Sequence, residues 1–290
     1  MAYNQKKPER RHVLLIRSNP HTHTQFCDGQ STAEEMVFSA IDHGFHTLGF
    51  SSHSELPFPN DWCLTKENVS SYINEVNRLR KQYEDRIRIR LGLELDLYSV
   101  GHVDLSPYEY LIGSVHVYRD PGTGLLYSYD WNPEASSRML KEAFHSDPAF
   151  YARQYYQDLV RLIHEVRPLI VGHFDLLLKF NDTLRLIDPN DPTYLKIAKD
   201  ALHSIMETGS IIEVNVGAIA RGYRKVPYPD IPLLKEICQC RYPIILSSDC
   251  HQASNITCQF DETEQLLREI GFQSVLELGP ENLLQEVSLK

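Results

Sequence analysis

The fold is decided at residues 21–29, which read His-Thr-His-Thr-Gln-Phe-Cys-Asp-Gly and follow an apolar run at residues 13–16. The apolar run predicts a short buried strand. Two histidines separated by one residue point to the same side of an extended segment, so His21 and His23 can reach one ion. Asp28, in a turn that ends in glycine, can reach a neighbouring ion. Imidazole suits Zn, Fe, Mn or Co, although a surface strand with two solvated histidines shows the same pattern.

The totals describe an ordinary globular protein without nucleic-acid-binding character. The 290 residues are 42% hydrophobic and 23% charged, which indicates neither disorder nor a fibrous repeat. A net charge of -10 argues against a nucleic-acid surface, because phosphate backbones attract basic proteins. We therefore expect no nucleic-acid partner, and small anionic substrates remain possible.

The cysteines and the termini indicate a cytoplasmic protein. The six cysteines form no paired CxxC motif, so reduced thiols are expected. Residues 1–11 read as a polar tail without an apolar signal segment, and no apolar stretch is long enough to span a membrane. We expect a single domain over residues 1–290 with no membrane partner. The oligomeric state is not indicated.

Strand and helix patterns alternate along the chain. Seven strands are predicted, at residues 13–16, 47–50, 87–96, 110–117, 169–175, 210–217 and 243–246. Helices are predicted at residues 31–44, where Ser31 to Glu34 forms a capping-box pattern, and at 66–84, 150–166, 193–208, 231–238 and 262–270. Residues 119–147 lack periodicity and are expected to form an irregular excursion or lid.

This alternation predicts parallel strands joined by crossover helices. An open doubly wound sheet fits the alternation, but it would spread the strand ends along a line. Polar residues with ligand atoms stand at six of the seven strand ends, and this favours a closed (β/α) barrel with its site at the carboxyl ends of the strands.

Nine of these polar residues are metal-ligand candidates: His21, His23, Asp28, His53, Glu94, His116, His173, Asp249 and His251. A hydrogen bond to a backbone carbonyl would explain any one of the histidines, but not the recurrence at six strands. Nine ligands exceed the needs of one ion, so two or three divalent ions are predicted. Glu94 lies among leucines and is the natural bridge between ions.

Seven short motifs occur in order over about residues 12–270: His21-Thr22-His23-Thr24, Cys27-Asp28-Gly29, Ser52-His53, Gly92-Leu93-Glu94, Gly113-Ser114-Val115-His116, Gly172-His173-Phe174-Asp175 and Ser248-Asp249-Cys250-His251. Together they resemble the PHP (polymerase and histidinol phosphatase) family. Within it, they look most like the stand-alone histidinol-phosphate phosphatases.

The resemblance implies a distorted seven-stranded (β/α) TIM-like barrel with a trinuclear centre of Zn, Mn or Fe. It implies three ligand sets, which are His21, His23, Glu94 and Asp249 for one ion, Glu94, His116 and His173 for a second, and Asp28, His53 and His251 for the third. Many family members have a histidine near the position of Asp28. Residues 119–147 have no clear template in the family.

The activity implied is hydrolysis of a small phosphate monoester, L-histidinol phosphate, in histidine biosynthesis. A metal-activated water would attack phosphorus directly. Glu94 and Asp249 act as ligands, His251 is a candidate acid for the leaving group, and Asp175 is expected to orient His173.

Four further residues are candidates for binding the substrate. Arg221, Arg224 and Lys179 are expected to clamp phosphate oxygens. Glu55 is expected to bind the substrate's ammonium, in a pocket lined by Phe26 or Tyr118.

Two alternatives remain open. A PHP phosphoesterase acting on nucleotides or nucleic-acid ends would need a basic channel, which the acidic composition disfavours. A non-catalytic PHP module that only binds metal would have lost several ligands, and none is missing from the sequence.

Overall fold

The computed structural model describes residues 15–290, which form both strands and helices. The strands are β1 (Ser18–Asn19), β2 (Thr47–Phe50), β3 (Arg88–Asp96), β4 (Tyr110–Ser114), β5 (Val117–Arg119), β6 (Leu126–Ser128), β7 (Ile170–Val171), β8 (Ile211–Asn215), β9 (Ile244–Ser247), β10 (Ser274–Leu278) and β11 (Leu284–Ser288).

The helices are α1 (Ala33–Asp42), α2 (Val69–Gln82), α3 (Pro133–Glu142), α4 (Pro148–Val166), α5 (Asn181–Leu184), α6 (Pro192–Met206), α7 (Gly217–Ala220), α8 (Ile231–Gln239) and α9 (Phe260–Ile270). All six predicted helices are confirmed. The capping box of α1 uses Thr32 and Glu35, one residue later than predicted. Within residues 15–290, no helix has both the length and the apolar character required to cross a membrane.

Nine strands form one sheet in the order β1-β2-β3-β4-β7-β8-β9-β10-β11. All neighbours pair in parallel except β10 and β11, which are antiparallel. The α/β class with a mostly parallel sheet is confirmed. The strands β10 and β11 were not predicted. Strand β11 lies at the edge of the sheet and has no fully buried residue, so it carries little apolar pattern.

The two ends of the parallel run approach each other. Thr22, after β1, forms a parallel bridge with Cys250, after β9. The backbone N–H of His23 donates to the carbonyl of Cys250 at 3.0 Å. On β10, the backbone N–H of Leu278 donates to Oγ of Ser18 at 3.0 Å. These contacts bring the segments that follow β1 and β9 side by side.

The first strand lies later than the predicted residues 13–16. Residues 13 and 14 are outside the described part of the chain, and the strand is Ser18–Asn19. Its two polar side chains are buried and hydrogen-bonded; Asn19 Nδ2, for example, donates to Oγ of Ser248 at 2.6 Å. A strand of two polar residues has no hydrophobic periodicity. The prediction therefore placed the strand on the apolar run that precedes it.

Residues 119–147 were predicted to be irregular, but they contain regular secondary structure. Strands β5 and β6 form an antiparallel hairpin, and α3 follows them. Oδ1 of Asn132 caps α3 by accepting from the backbone N–H of Ala135 at 2.7 Å, and Pro133 occupies the first turn. The strands of the hairpin are only three residues long, too short to leave a periodic signal.

Glu277 on β10 ties the two ends of the sheet together. It is 2% exposed, and its Oε2 accepts from the backbone N–H of Arg17 at 2.7 Å. Its Oε1 lies 2.8 Å from Nε2 of His46 and accepts from Nε2 of Gln285 at 2.6 Å. Burial alone would raise the pKa of Glu277, but these donors lower it below its ordinary value.

We expect Glu277→Gln to lower the free energy of unfolding by about 1–2 kcal/mol at neutral pH. Because the pKa of Glu277 is lower in the folded state, the ionised carboxylate stabilises the protein above the ordinary pKa of 4.5, and this stability is lost as the pH falls through the folded-state pKa. Urea unfolding from pH 7 down to about pH 3.5 should show the difference from the native chain shrinking. Exposed Glu281→Gln serves as the control, and a difference independent of pH would contradict the prediction.

Candidate metal centre

All nine predicted metal ligands lie in one cluster at the carboxyl ends of the parallel strands. Glu94 is part of β3, and His53, just beyond β2, pairs with it in a parallel bridge. The other ligands follow β1, β4, β7 and β9. The cluster therefore forms because neighbouring parallel strands end on the same side of the sheet.

Glu94 stands at the centre of this cluster. Its Oε2 is 2.7 Å from Nδ1 of His53 and 3.2 Å from Nε2 of His21. Its Oε1 is 2.9 Å from Nε2 of His173 and 3.3 Å from Nε2 of His116. The residue is 1% exposed. Because its two oxygens face different histidines, the carboxylate is placed to bridge two ions.

Within this cluster of the described residues, three groups of ligand atoms lie close enough together to hold one ion each, with all atoms of a group within 4.8 Å of one another. The groups are His21, His23 and Asp249; His53, Glu94 and His116; and His23, Asp28, His53 and His251. They differ from the three implied sets, because His173 belongs to none of these groups and Glu94 is not grouped with His21, His23 and Asp249. His23 belongs to two groups, and His53 joins Glu94 as well as Asp28.

Asp28 is close to the histidines of its group. Its Oδ2 lies 3.2 Å from Nε2 of His251, and its Oδ1 lies 3.6 Å from Nδ1 of His23 and 3.7 Å from Nε2 of His53. Burial alone would raise the pKa of Asp28, but His53, His251 and His23 hold it well below its usual range. Asp28 is therefore ionised, and its carboxylate oxygen lies within 4.8 Å of the ring nitrogens of its group.

The cluster fits divalent metal ions. Within the described residues, three buried atoms, Nε2 of His21, Nε2 of His23 and Oε2 of Glu94, make no hydrogen bond of acceptable geometry, although Oε2 of Glu94 lies 2.7 Å from Nδ1 of His53. Such atoms are costly unless they bind something, and a metal ion would satisfy all three. The pKa of His23 is lowered to about 3, first by burial and then by the charges of His251 and His53. Its imidazole is therefore neutral, as metal binding requires.

Glu213 on β8 is a site residue that the sequence analysis missed. It is fully buried, with Oε1 2.6 Å from Nδ1 of His21 and 2.6 Å from Oγ of Ser247. Its Oε2 accepts from the backbone N–H of His173 at 2.7 Å. Burial alone would lower the pKa of His21, but Glu213 and then Glu94 raise it well above its ordinary value. Like Glu94, Glu213 is an acidic residue within an apolar strand. The same sequence pattern that identified Glu94 would have identified Glu213.

Asp175 was predicted to orient the ring of His173, but its carboxylate is directed elsewhere. Its Oδ2 accepts from the backbone N–H of Asp230 at 2.8 Å, and Nδ1 of His173 has no hydrogen-bond partner among residues 15–290. The chain turns into a short 3-10 helix directly after Asp175, which directs the carboxylate toward the start of α8. Burial raises the pKa of Asp175 to about 7. In contrast, Oδ2 of Asp96 lies 3.3 Å from Nδ1 of His116 and can orient that ring.

A cavity of about 290 Å³ opens onto the cluster. Its aromatic surface comes from Trp62, Trp131 and Tyr223. Phe26 and Tyr118, which were predicted to line it, do not, because both rings pack against other aromatic rings. The remaining lining residues are Asp28, Gln30, His53, His116, Ser128, Asp130, His173, Leu176, Lys179, Arg221, Asp249 and His251.

Arg221 and Lys179, two predicted substrate-binding residues, line this cavity. Nη2 of Arg221 donates to Oδ2 of Asp249 at 3.1 Å, and Nη1 lies 3.1 Å from Nδ1 of His251. Lys179 Nζ donates to Oδ2 of Asp130 at 2.9 Å. Both cations are therefore held by carboxylates beside the metal ligands.

Arg224 and Glu55, the other two predicted substrate-binding residues, do not line this cavity. Arg224 is 4% exposed, and its Nη2 lies 2.5 Å from Oδ2 of Asp230. Glu55 lines a separate cavity, where its Oε1 lies 3.4 Å from Nε2 of His102. The predictions for these two residues are corrected, because each side chain has a partner that directs it elsewhere.

Comparison with known proteins agrees with this geometry. A family model described as the PHP domain matches residues 19–217. Histidinol-phosphatase from Lactococcus lactis is 33% identical over 270 residues, covering 88% of this chain and 91% of the relative. Histidinol-phosphatase from Bacillus subtilis is 28% identical over 263 residues, covering 83% of this chain and 96% of the relative.

A solved structure has a similar fold. It is histidinol phosphate phosphatase (HISK) from Lactococcus lactis, complexed with Zn, L-histidinol and phosphate. It aligns with a TM-score of 0.62 and 19% identity, covering 90% of this chain and 96% of that chain. The chain belongs to the PHP domain family.

Proposed function

We propose that this protein hydrolyses L-histidinol phosphate to L-histidinol and inorganic phosphate, using two or three divalent metal ions. The observation that carries this proposal is the cluster of nine ligand residues around Glu94, at one side of a cavity that also contains Arg221. The two relatives compared above are histidinol-phosphatases, and a histidinol phosphate phosphatase of similar fold has been crystallised with Zn, L-histidinol and phosphate.

The three ligand groups would hold the ions. Divalent ions at these positions supply positive charge to the phosphate oxygens and make water a stronger acid. Glu94 and Asp249 contribute negative charge and orientation as ligands. Zn, Mn and Fe all suit this set of nitrogen and oxygen donors.

Two further residues of the cavity are assigned roles: Arg221 in binding the phosphate and His251 in protonating the leaving group. The Arg221 side chain is 28% exposed and lines the cavity, so its guanidinium can donate to phosphate while Asp249 holds Nη2. His251 lines the cavity and lies 3.2 Å from Asp28 and 3.1 Å from Arg221. If Nε2 of His251 is not used as a metal ligand, it can protonate the leaving alkoxide from this position.

We also infer the finer architecture. The contacts between β1, β9 and β10 close the main sheet into a distorted barrel. Residues 119–147 act as a lid, since Ser128, Asp130 and Trp131 line the cavity. A single domain over residues 1–290, a cytoplasmic location and the absence of a nucleic-acid partner remain predictions from the sequence.

An activity screen tests the function. Protein stripped with a chelator and then reloaded with Zn, Mn or Fe(II) should release phosphate from L-histidinol phosphate faster than from mononucleotides or sugar phosphates. The stripped protein should be inactive. Turnover of nucleotides but not of L-histidinol phosphate would overturn the substrate, and a metal-loaded but inert protein would favour the binding module.

A further inference from the structure

The cavity contains a carboxylate that the metal groups do not use. Within the described residues, the carboxylates that line it are Asp28, Asp130 and Asp249. Asp28 and Asp249 belong to the metal-ligand groups, whereas Asp130 belongs to none of them. Glu55 lies in a different cavity beside His102. Asp130 is therefore the lining acid that is available to a cationic group of a substrate.

Asp130 is held firmly yet remains accessible. It follows β6, and the backbone N–H of its neighbour Tyr129 donates to the carbonyl of His116 at 2.9 Å. Its Oδ1 accepts from Oγ of Ser128 at 3.2 Å, and its Oδ2 accepts from Nζ of Lys179 at 2.9 Å. The Asp130 side chain is 23% exposed. The carboxylate is thus fixed beside a metal ligand with part of its surface open to the cavity.

The ion pair with Lys179 leaves room for another cation. A carboxylate has roughly four lone-pair positions, and Ser128 and Lys179 occupy two of them. Lys179 also donates to the backbone carbonyl of Asp130 at 2.9 Å, and its Nζ lies 5.5 Å and 5.6 Å from the ring centres of Phe180 and Tyr223. These contacts stabilise the ammonium of Lys179 even when Asp130 takes a second donor.

The position of Asp130 matches the chemistry of the proposed substrate. In L-histidinol phosphate, the carbon that bears the amino group is bonded to the carbon that carries the phosphate ester. A carboxylate that binds this ammonium must therefore stand close to the metal ligands, which bind the phosphate. Asp130 meets this requirement through the backbone contact between Tyr129 and His116.

We propose that Asp130 binds the ammonium group of the substrate and selects phosphate monoesters that carry an amine beside the ester carbon. This inference rests on the proposed function. In this proposal, Lys179 positions Asp130 through their ion pair, a role that the predicted binding of phosphate did not include. The role that the sequence analysis gave to Glu55 passes to Asp130.

The test compares L-histidinol phosphate with its deamino analogue, 3-(imidazol-4-yl)propyl phosphate. The native holoenzyme should prefer the amino ester by at least about tenfold in kcat/KM, because a charge-assisted hydrogen bond is lost with the amine. Asp130→Asn should lower kcat/KM for L-histidinol phosphate by about tenfold, mainly through KM, and leave the analogue nearly unchanged. Glu55→Gln is the matched control and should keep the native preference.

Each outcome supports or overturns the inference. Equal losses on both esters would show that Asp130 is only structural, and an unchanged preference would show that it does not bind the amine. If Asp130→Asn fails to fold or loses metal, the native enzyme still tests the inference. Similar kcat/KM values of the native enzyme for L-histidinol phosphate and its deamino analogue would overturn it. Hydrolysis of neither ester by the metal-loaded native enzyme would instead reject the proposed function and the inference with it.

Discussion

Replacing Glu94 by Gln is expected to lower kcat for L-histidinol phosphate by about a thousandfold or more. Glu94 Oε1 faces His116 and His173, while Oε2 faces His21 and His53. An amide keeps only one oxygen and presents an NH₂ group on the other side. The proposed bridge between ions would then be lost together with its negative charge.

Steady-state kinetics and elemental analysis of bound metal check this prediction. Glu94→Gln should contain less metal than the native protein after the same loading. Glu84→Gln, an exposed position just after α2, is the control and should retain both metal and activity. Native turnover in Glu94→Gln would refute the assignment of Glu94 as the bridging ligand.

Glu213→Gln is expected to weaken metal binding by about 10–100-fold without removing any proposed ligand. Glu213 contacts Nδ1 of His21, the ring nitrogen opposite the one that faces Glu94. Its negative charge orients this imidazole and makes its other nitrogen a better ligand. A neutral amide of the same shape can still accept a hydrogen bond, but it lacks the charge.

Competition with a chromophoric chelator measures this change directly. Ser247→Ala is the matched control, because it removes a donor at 2.6 Å to Glu213 and keeps the contact with His21. We expect a smaller loss of affinity in Ser247→Ala than in Glu213→Gln. Equal affinities in Glu213→Gln and the native protein would show that Glu213 only supports the fold.

The ligand cluster could be predicted because it depends on position along the chain. Parallel strands all end at the same edge of the sheet, so the residues that follow them meet there. This holds without knowing the order of the strands. His53, His116 and His173 were found in this way, and the structure brings them together around Glu94. Their role as metal ligands remains a prediction that the metal analyses test.

The substrate side of the cavity could not be predicted in the same way. Arg224 is close in sequence to Arg221, yet it is buried against Asp230. Glu55 is two residues from His53, yet it lines another cavity. In loops, the direction of a side chain depends on its tertiary partners, and sequence spacing does not specify them.

The sequence by itself determined the α/β class, six of the helices in the described residues and the residues that gather around Glu94, because hydrophobic periods and strand ends are local properties of the chain. Only the tertiary structure decided that Glu213 supports His21 and that Asp130 faces the cavity beside Lys179. These pairs join residues 192 and 49 positions apart. Their contacts arise from the packing of distant segments, which leaves no regular spacing in the sequence.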